Sequence, residues 1–189
     1  MLKTLVAATL YTALTLAAIP AQARDLSAAA DAREGAMRKL IVHDAPKPLD
    51  NIRFQTADGV EETLDTYAGR WVVLNLWATW CAPCRKEMPA LDALSEAYND
   101  RGISVVPVAT GRNSLPAIKG FYDKAEIGTL PVRLDPTGEL ARGLGVMGLP
   151  ATLIISPEGL EVARMVGDAD WFSPSALAVM DALLETVAD

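Results

Sequence analysis

The chain has 189 residues and a formal net charge of -7, long enough for one domain whose core needs no covalent support. Its acidity excludes a nucleic-acid binder, which needs a basic footprint, and serves solubility instead. With two cysteines and one histidine, it lacks the four ligands of a closed zinc site.

The first 23 residues carry one cation, Lys3, ahead of an apolar run from Leu5 to Ile19 that Pro20 breaks. Ala21-Gln22-Ala23 then fits the small-x-small cleavage pattern. The run is shorter than the roughly 20 apolar residues of a membrane span. Residues 1–23 therefore read as an export signal cut after Ala23. The alternative is an uncleaved anchor, tilted so that its flanks help it across. Either way the folded part lies outside the cytoplasm. Cleavage takes the net charge to -8, because Lys3 leaves a chain of -7.

Residues 24–48 read as a lead-in to a domain spanning 49–189. Asp25 to Val42 has good helix formers, with Ser27 as a cap. His43-Asp44-Ala45-Pro46-Lys47-Pro48 breaks that helix and reads as a linker, with His43 exposed and without a role. Ile52 to Gln55 alternates like a half-buried strand, and Ala57-Asp58-Gly59 turns it into a hairpin with Val60 to Leu64. Trp71 to Ala78 is nearly continuous apolar, the mark of a strand buried on both faces. From Pro83 the positions Met88, Leu91, Leu94 and Tyr98 make one face of a helix that Gly102 ends. Ile103 to Ala109 is a second buried strand. Gly111-Arg112-Asn113 is a loop, and Ser114 caps a helix from Leu115 to Lys124. Leu130 to Leu134 is a short strand. The turn Asp135-Pro136-Thr137-Gly138 and a short helix from Glu139 follow. Ala151 to Ser156 pairs with Leu160 to Gly167 across Pro157-Glu158-Gly159. Ser173 and Pro174 open a last helix with the stripe Leu177, Met180, Leu184 and Val187. The alternation predicts an α/β fold, a central mixed sheet with helices on both faces.

The two cysteines sit in Trp80-Cys81-Ala82-Pro83-Cys84, where the first buried strand meets its helix. As a staple the pair closes a four-residue loop, worth only about 2 kcal/mol. Sites in open α/β folds gather at that carboxyl edge, and a helix N-terminus stabilises a thiolate. Cys81 leads the helix as nucleophile, Cys84 follows as resolving thiol, and Pro83 suits the first turn, where no N–H is needed. C-x-x-C between strand and helix reads as a redox centre. No cofactor beyond this redox-active disulfide, and no metal, is expected.

The run Asn75-Leu76-Trp77-Ala78-Thr79-Trp80-Cys81-Ala82-Pro83-Cys84-Arg85-Lys86-Glu87-Met88-Pro89-Ala90-Leu91 resembles the thioredoxin superfamily, specifically its TlpA-like/ResA-like group of exported thiol:disulfide oxidoreductases, and the TlpA pattern most. Gly145 to Thr152 and Val166 to Trp171 carry the same likeness. It covers roughly Leu49 to Val187 and implies a thioredoxin-like fold with an N-terminal β-hairpin and a central βα insertion.

Several roles come with the resemblance. Pro150 matches a cis-proline lying against the disulfide and leaving the Leu149 backbone free for an incoming chain. Pro89 matches a proline that kinks the active-site helix. Trp80 matches the aromatic flanking the nucleophile, which either shapes the target surface or covers the disulfide. Asn75 stands where thioredoxins have a buried aspartate and cannot take a proton. Glu87 matches the carboxylate that ResA-like proteins place beside the second cysteine. It is either the base for Cys84 or a solvated helix glutamate. Ala82-Pro83 resembles the dipeptide of reducing thioredoxins and lacks the histidine of strong oxidants, which implies a reductant.

Three roles follow. One is reduction of cysteines in a copper chaperone or the copper subunit of cytochrome oxidase, since oxidised thiols cannot bind Cu(I). Another is reduction of apocytochrome c thiols, a match weakened by Gly148-Leu149-Pro150-Ala151. The third is a Cu(I) carrier using Cys81 and Cys84 with Met147 or His43, although Met147 reads as packing beside the site. A CcdA/DsbD-type membrane protein is the implied electron donor, and a monomer is expected. The insertion from Thr110 to Leu130 lies beside the site and is a candidate for target selection.

Overall fold

The computed structural model describes residues 24–50 and 52–186. The export signal read in residues 1–23, and Val187 of the last stripe, lie outside them. Eight strands form one sheet: β1 Ile41–Lys47, β2 Arg53–Thr56, β3 Glu61–Thr63, β4 Trp71–Trp77, β5 Ile103–Thr110, β6 Arg133–Asp135, β7 Ala151–Ile155 and β8 Glu161–Val166. Their order is β1-β8-β7-β4-β5-β6-β2-β3. Strands β4, β5 and β6 run parallel and every other pairing is antiparallel. The helices are α1 Ser27–Asp31, α2 Ala82–Tyr98, α3 Leu115–Lys124, α4 Glu139–Gly143 and α5 Pro174–Glu185.

Every residue of β4 and β5 is buried, because these central strands have a partner on each edge and a core on each face. Trp71, Val73 and Trp77 join the larger core with α1, α2, α3 and α5. Val72, Leu74 and Leu76 join a smaller one with Phe54 and α4. Helices thus cover both faces, unevenly. The hairpin β2–β3 forms as expected, and Ser114 and Ser173 cap α3 and α5 by accepting from Ala117 N–H and Ala176 N–H.

The N-terminal reading needs correction. The helix expected to Val42 ends at Asp31, and Asp25 rather than Ser27 supplies the oxygen at its start, accepting from Ser27 N–H at 2.9 Å. Gly35, at φ +51°, takes the left-handed conformation that opens a 3-10 turn over Gly35–Lys39. The expected linker is part of an edge strand, β1, paired with β8 and irregular between Val42 and Lys47. Pro46 is tolerated because an edge strand has one side without ladder bonds.

His43 is correspondingly not exposed: its side chain retains 9% exposure and its Nε2 lies 2.8 Å from Glu161 Oε1. Arg164 grips the same carboxylate through two 2.7 Å bonds and donates to Leu144 C=O. Arg164→Ala leaves the buried Glu161 carboxylate with His43 as its one remaining side-chain partner and costs about 2 kcal/mol of stability, read as a lower urea midpoint.

Two smaller readings also shift. Strand β6 begins at Arg133 rather than Leu130, since Leu130 N–H is taken by Asp92 Oδ1 at 3.1 Å. The buried face of α5 is Ala176, Val179, Met180, Ala182 and Leu183, with Leu177 and Leu184 only half-buried.

Candidate active site

Strand β4 delivers the chain to the sheet's carboxyl edge at Trp77. A turn closed by Cys81 N–H donating to Ala78 C=O at 3.1 Å then starts α2. Cys81 is the N-cap and Pro83 lies in the first turn, where a missing N–H costs nothing. Cys81 and Cys84 are joined as a disulfide. Cys84 N–H donates to Cys81 Sγ at 3.3 Å, so an unpaired helix N–H already points at the sulfur that becomes a thiolate on reduction. Cys81 keeps 6% exposure and Cys84 none. Of the two, only Cys81 has any solvent exposure.

A buried polar network surrounds Glu87, which lies in the same helix as Cys84. Glu87, one turn after Cys84, is 2% exposed, so it is not a solvated helix glutamate. Its Oε1 accepts from Asn75 Nδ2 at 2.8 Å. Its Oε2 accepts from Ala169 N–H at 3.2 Å and Trp171 Nε1 at 3.1 Å. Asn75 Nδ2 also donates to Thr152 Oγ1 at 2.9 Å, while Asn75 Oδ1 has no partner. Burial pushes the Glu87 carboxyl up to about 7, against the three hydrogen bonds and with help from the charge of Asp168. No cation faces this carboxylate in an ion pair among the described residues.

The other residues singled out in the sequence divide. The Leu149–Pro150 bond is cis, as the resemblance implied. Gly167 N–H donates to Pro150 C=O at 2.9 Å, and no backbone hydrogen bond ties down Leu149 among the described residues. Trp80 is 67% exposed and stands out in solvent. Met147, expected to pack beside the site, is 98% exposed. His43 is committed to Glu161 and so is not free to ligate with the cysteines. Pro89 lies inside α2. Trp171, Thr152 and Ala169 lie within the motif runs, where the sequence assigns them no role, and they complete the network around Glu87 and Asn75. The signal was there for Trp171, since a buried indole N–H needs an acceptor. No group of three or more His, Cys, Asp and Glu residues is placed to hold a metal ion among the described residues.

Residues 43–162 match the model of the AhpC/TSA family, well over half of the chain. The chain belongs to that family. Among curated relatives, the thiol-disulfide oxidoreductase ResA of Bacillus thuringiensis subsp. konkukian (strain 97-27) is 30% identical over 122 residues, covering 65% of this chain and 69% of the relative. Among solved structures, the putative thiol:disulfide interchange protein DsbE from Chlorobium tepidum matches with a TM-score of 0.64 and 25% identity, covering 75% of this chain and 98% of that one. The exposed lipoprotein thioredoxin Etrx1 of Streptococcus pneumoniae matches at 0.58 and 28% identity, covering 71% of this chain and 98% of that one. With the Cys81–Cys84 disulfide at the head of α2, this AhpC/TSA member is a thiol-disulfide oxidoreductase of thioredoxin type.

Proposed function

We propose that this protein is an exported reductant of cysteine pairs, working outside the cytoplasm on copper-handling proteins of cytochrome oxidase assembly. The observation that carries the reductant reading is that, among the described residues, Cys81 Sγ receives one hydrogen bond, from Cys84 N–H, and no side-chain donor. A couple is reducing when its dithiol is not specially stabilised. Here the helix N-terminus favours the Cys81 thiolate, but the dipeptide Ala82-Pro83 adds no donor and the Glu87 carboxylate disfavours negative charge at Cys84. The nearby cations are turned elsewhere, Arg85 over the Phe121 ring at 5.1 Å and Lys86 to Asp168 at 3.4 Å.

The electrons then move as follows. The Cys81 thiolate attacks a substrate disulfide, forming a mixed disulfide and releasing one substrate thiol. Cys84 gives its proton to Glu87 and attacks Cys81 Sγ. That step releases the second substrate thiol and re-forms the Cys81–Cys84 disulfide, so two electrons pass to the substrate. Leu149 and Pro150 receive the incoming chain, and Trp80 offers it an aromatic surface. A CcdA/DsbD-type membrane protein resets the dithiol. The export signal read in residues 1–23 supports the location, as does the likeness to a pneumococcal exposed lipoprotein.

Apocytochrome c is the second reading, favoured by the buried Glu87 that ResA-like proteins share. A Cu(I) carrier loses ground, since His43 is held by Glu161 and only Met147 is left as a third ligand. Equilibration against glutathione or dithiothreitol buffers tests the direction. A potential below about -200 mV is expected. A value near the roughly -120 mV of DsbA means that the protein oxidises. Rates with a copper chaperone's cysteine pair and a C-x-x-C-H peptide then rank the substrates.

A further inference from the structure

One side chain of the β5–α3 loop reaches the turn in front of the disulfide. Thr79 N–H donates to Asn113 Oδ1 at 2.8 Å, and the Thr79 hydroxyl donates to the same oxygen at 2.9 Å. Asn113 Nδ2 donates to Thr110 C=O at 2.8 Å, so partners at both ends fix which way the amide points. Thr110 is anchored in turn. Its hydroxyl donates to the buried Asp135 carboxylate at 2.7 Å, and that carboxylate also accepts from Leu140 N–H and Ala141 N–H at the start of α4. Gly111 N–H donates to Asp135 C=O at 2.8 Å. An unbroken set of hydrogen bonds thus runs from α4 through Asp135, Thr110 and Asn113 to Thr79. The next residue is the exposed Trp80, and the one after it is Cys81. On the other flank, Arg85 next to Cys84 lies over Phe121 of α3.

We propose that Asn113 is a positioning residue for partner recognition. It holds the Thr79–Trp80 turn so that Trp80 already faces the chain arriving at Cys81. An exposed aromatic on a loose turn must be ordered when a partner binds, and that ordering weakens binding. Two bonds to Thr79 remove the cost in advance. The chemistry at sulfur needs neither of them. This inference rests on the oxidoreductase activity and not on the direction of electron flow.

The test compares two probes on the full chain carrying Asn113→Ala. One is a synthetic peptide with a Cys-x-x-Cys pair and several residues on either side, run as disulfide with the reduced protein and as dithiol with the oxidised protein. The other is glutathione, which offers little beyond its sulfur. Both peptide rates fall together by about fivefold, the size expected for one side chain left to be ordered. The equilibrium constant stays put, because both directions pass through the same mixed disulfide and the hold on Thr79 is common to the free dithiol and the free disulfide. Glutathione rates change by less than about twofold. In a Trp80→Ala background Asn113→Ala adds nothing further. Asn113→Asp, which keeps the acceptor for Thr79, recovers most of the peptide rate, and Thr79→Val, which deletes one of the two donors, loses part of it. Equal losses with peptide and glutathione overturn the proposal, as does a shifted equilibrium constant or a fully additive double variant. A wrong assignment of reductant shows in the equilibrium constant of the unaltered protein and leaves this comparison intact.

Discussion

Cys81→Ser reduces exchange with any protein disulfide to the uncatalysed rate, whereas Cys84→Ser stops the reaction halfway with the substrate covalently held. The asymmetry follows from where α2 puts the two sulfurs. Cys81 is the N-cap and the only one of the pair with any exposure. It also receives Cys84 N–H, which stabilises the attacking thiolate. Serine in its place has no accessible thiolate to replace it, since Cys84 is fully buried. In Cys84→Ser the first attack proceeds and a mixed disulfide accumulates, because no thiol remains to attack Cys81 Sγ. Non-reducing electrophoresis reads the adduct, and dithiothreitol dissolves it. The reverse pattern, an adduct with Cys81→Ser and none with Cys84→Ser, exchanges the two roles. Both variants lose the four-residue disulfide loop, at a cost of about 2 kcal/mol. Equal losses of stability thus serve as the internal control.

The cysteine pair was legible because its meaning is local: two thiols one helical turn apart, at a strand-to-helix junction. The same holds for β4, whose seven buried residues are consecutive, and for the caps at Ser114 and Ser173, which act within three residues. Strand β1 was not legible. His43, Asp44, Pro46 and Lys47 spell a linker, and they form a strand only because β8 is there to pair with. The partner that buries His43 is 118 residues away in the chain. The shifted face of α5 has a different cause. Ala176 and Ala182 are buried, but small residues barely mark a stripe beside Leu177 and Leu184. Glu87 was legible as a candidate through the resemblance. Its burial was not, since Trp171 and Ala169, 84 and 82 residues on, supply the hydrogen bonds that make a buried carboxylate tolerable.

Glu87→Gln removes a pH dependence from stability and slows the second half of the reaction. In the disulfide form burial holds the Glu87 carboxyl at about 7, above the ordinary value of 4.5. Below pH 4.5 the group is protonated in folded and unfolded chains alike, and its full contribution is present. Between 4.5 and 7 the unfolded chain releases the proton while the folded chain keeps it. Each rise in pH then favours unfolding, and about 3 kcal/mol is lost across that window. Above pH 7 both states are ionised and the loss is complete. Glutamine stays neutral throughout. Its carbonyl accepts from Ala169 and Trp171, and its NH2 meets Asn75, whose amide turns Oδ1 toward it while the Thr152 hydroxyl donates to that oxygen. The variant therefore melts at a nearly constant temperature from pH 5 to 8 and exceeds the unaltered protein at pH 8. A melting temperature that still falls with pH shows that another group titrates. The gain comes with a loss in rate. Cys84 must shed a proton before it attacks Cys81 Sγ, and a carboxylate near 7 is matched to take it at neutral pH. Without that base, resolution of the mixed disulfide slows by about a hundredfold, and stopped-flow quenching catches the adduct that Cys84→Ser holds permanently. Resolution at the unaltered rate excludes Glu87 as the acceptor. Both effects have one physical origin: the desolvation that weakens the fold near neutral pH is what brings the carboxylate into range to accept the Cys84 proton.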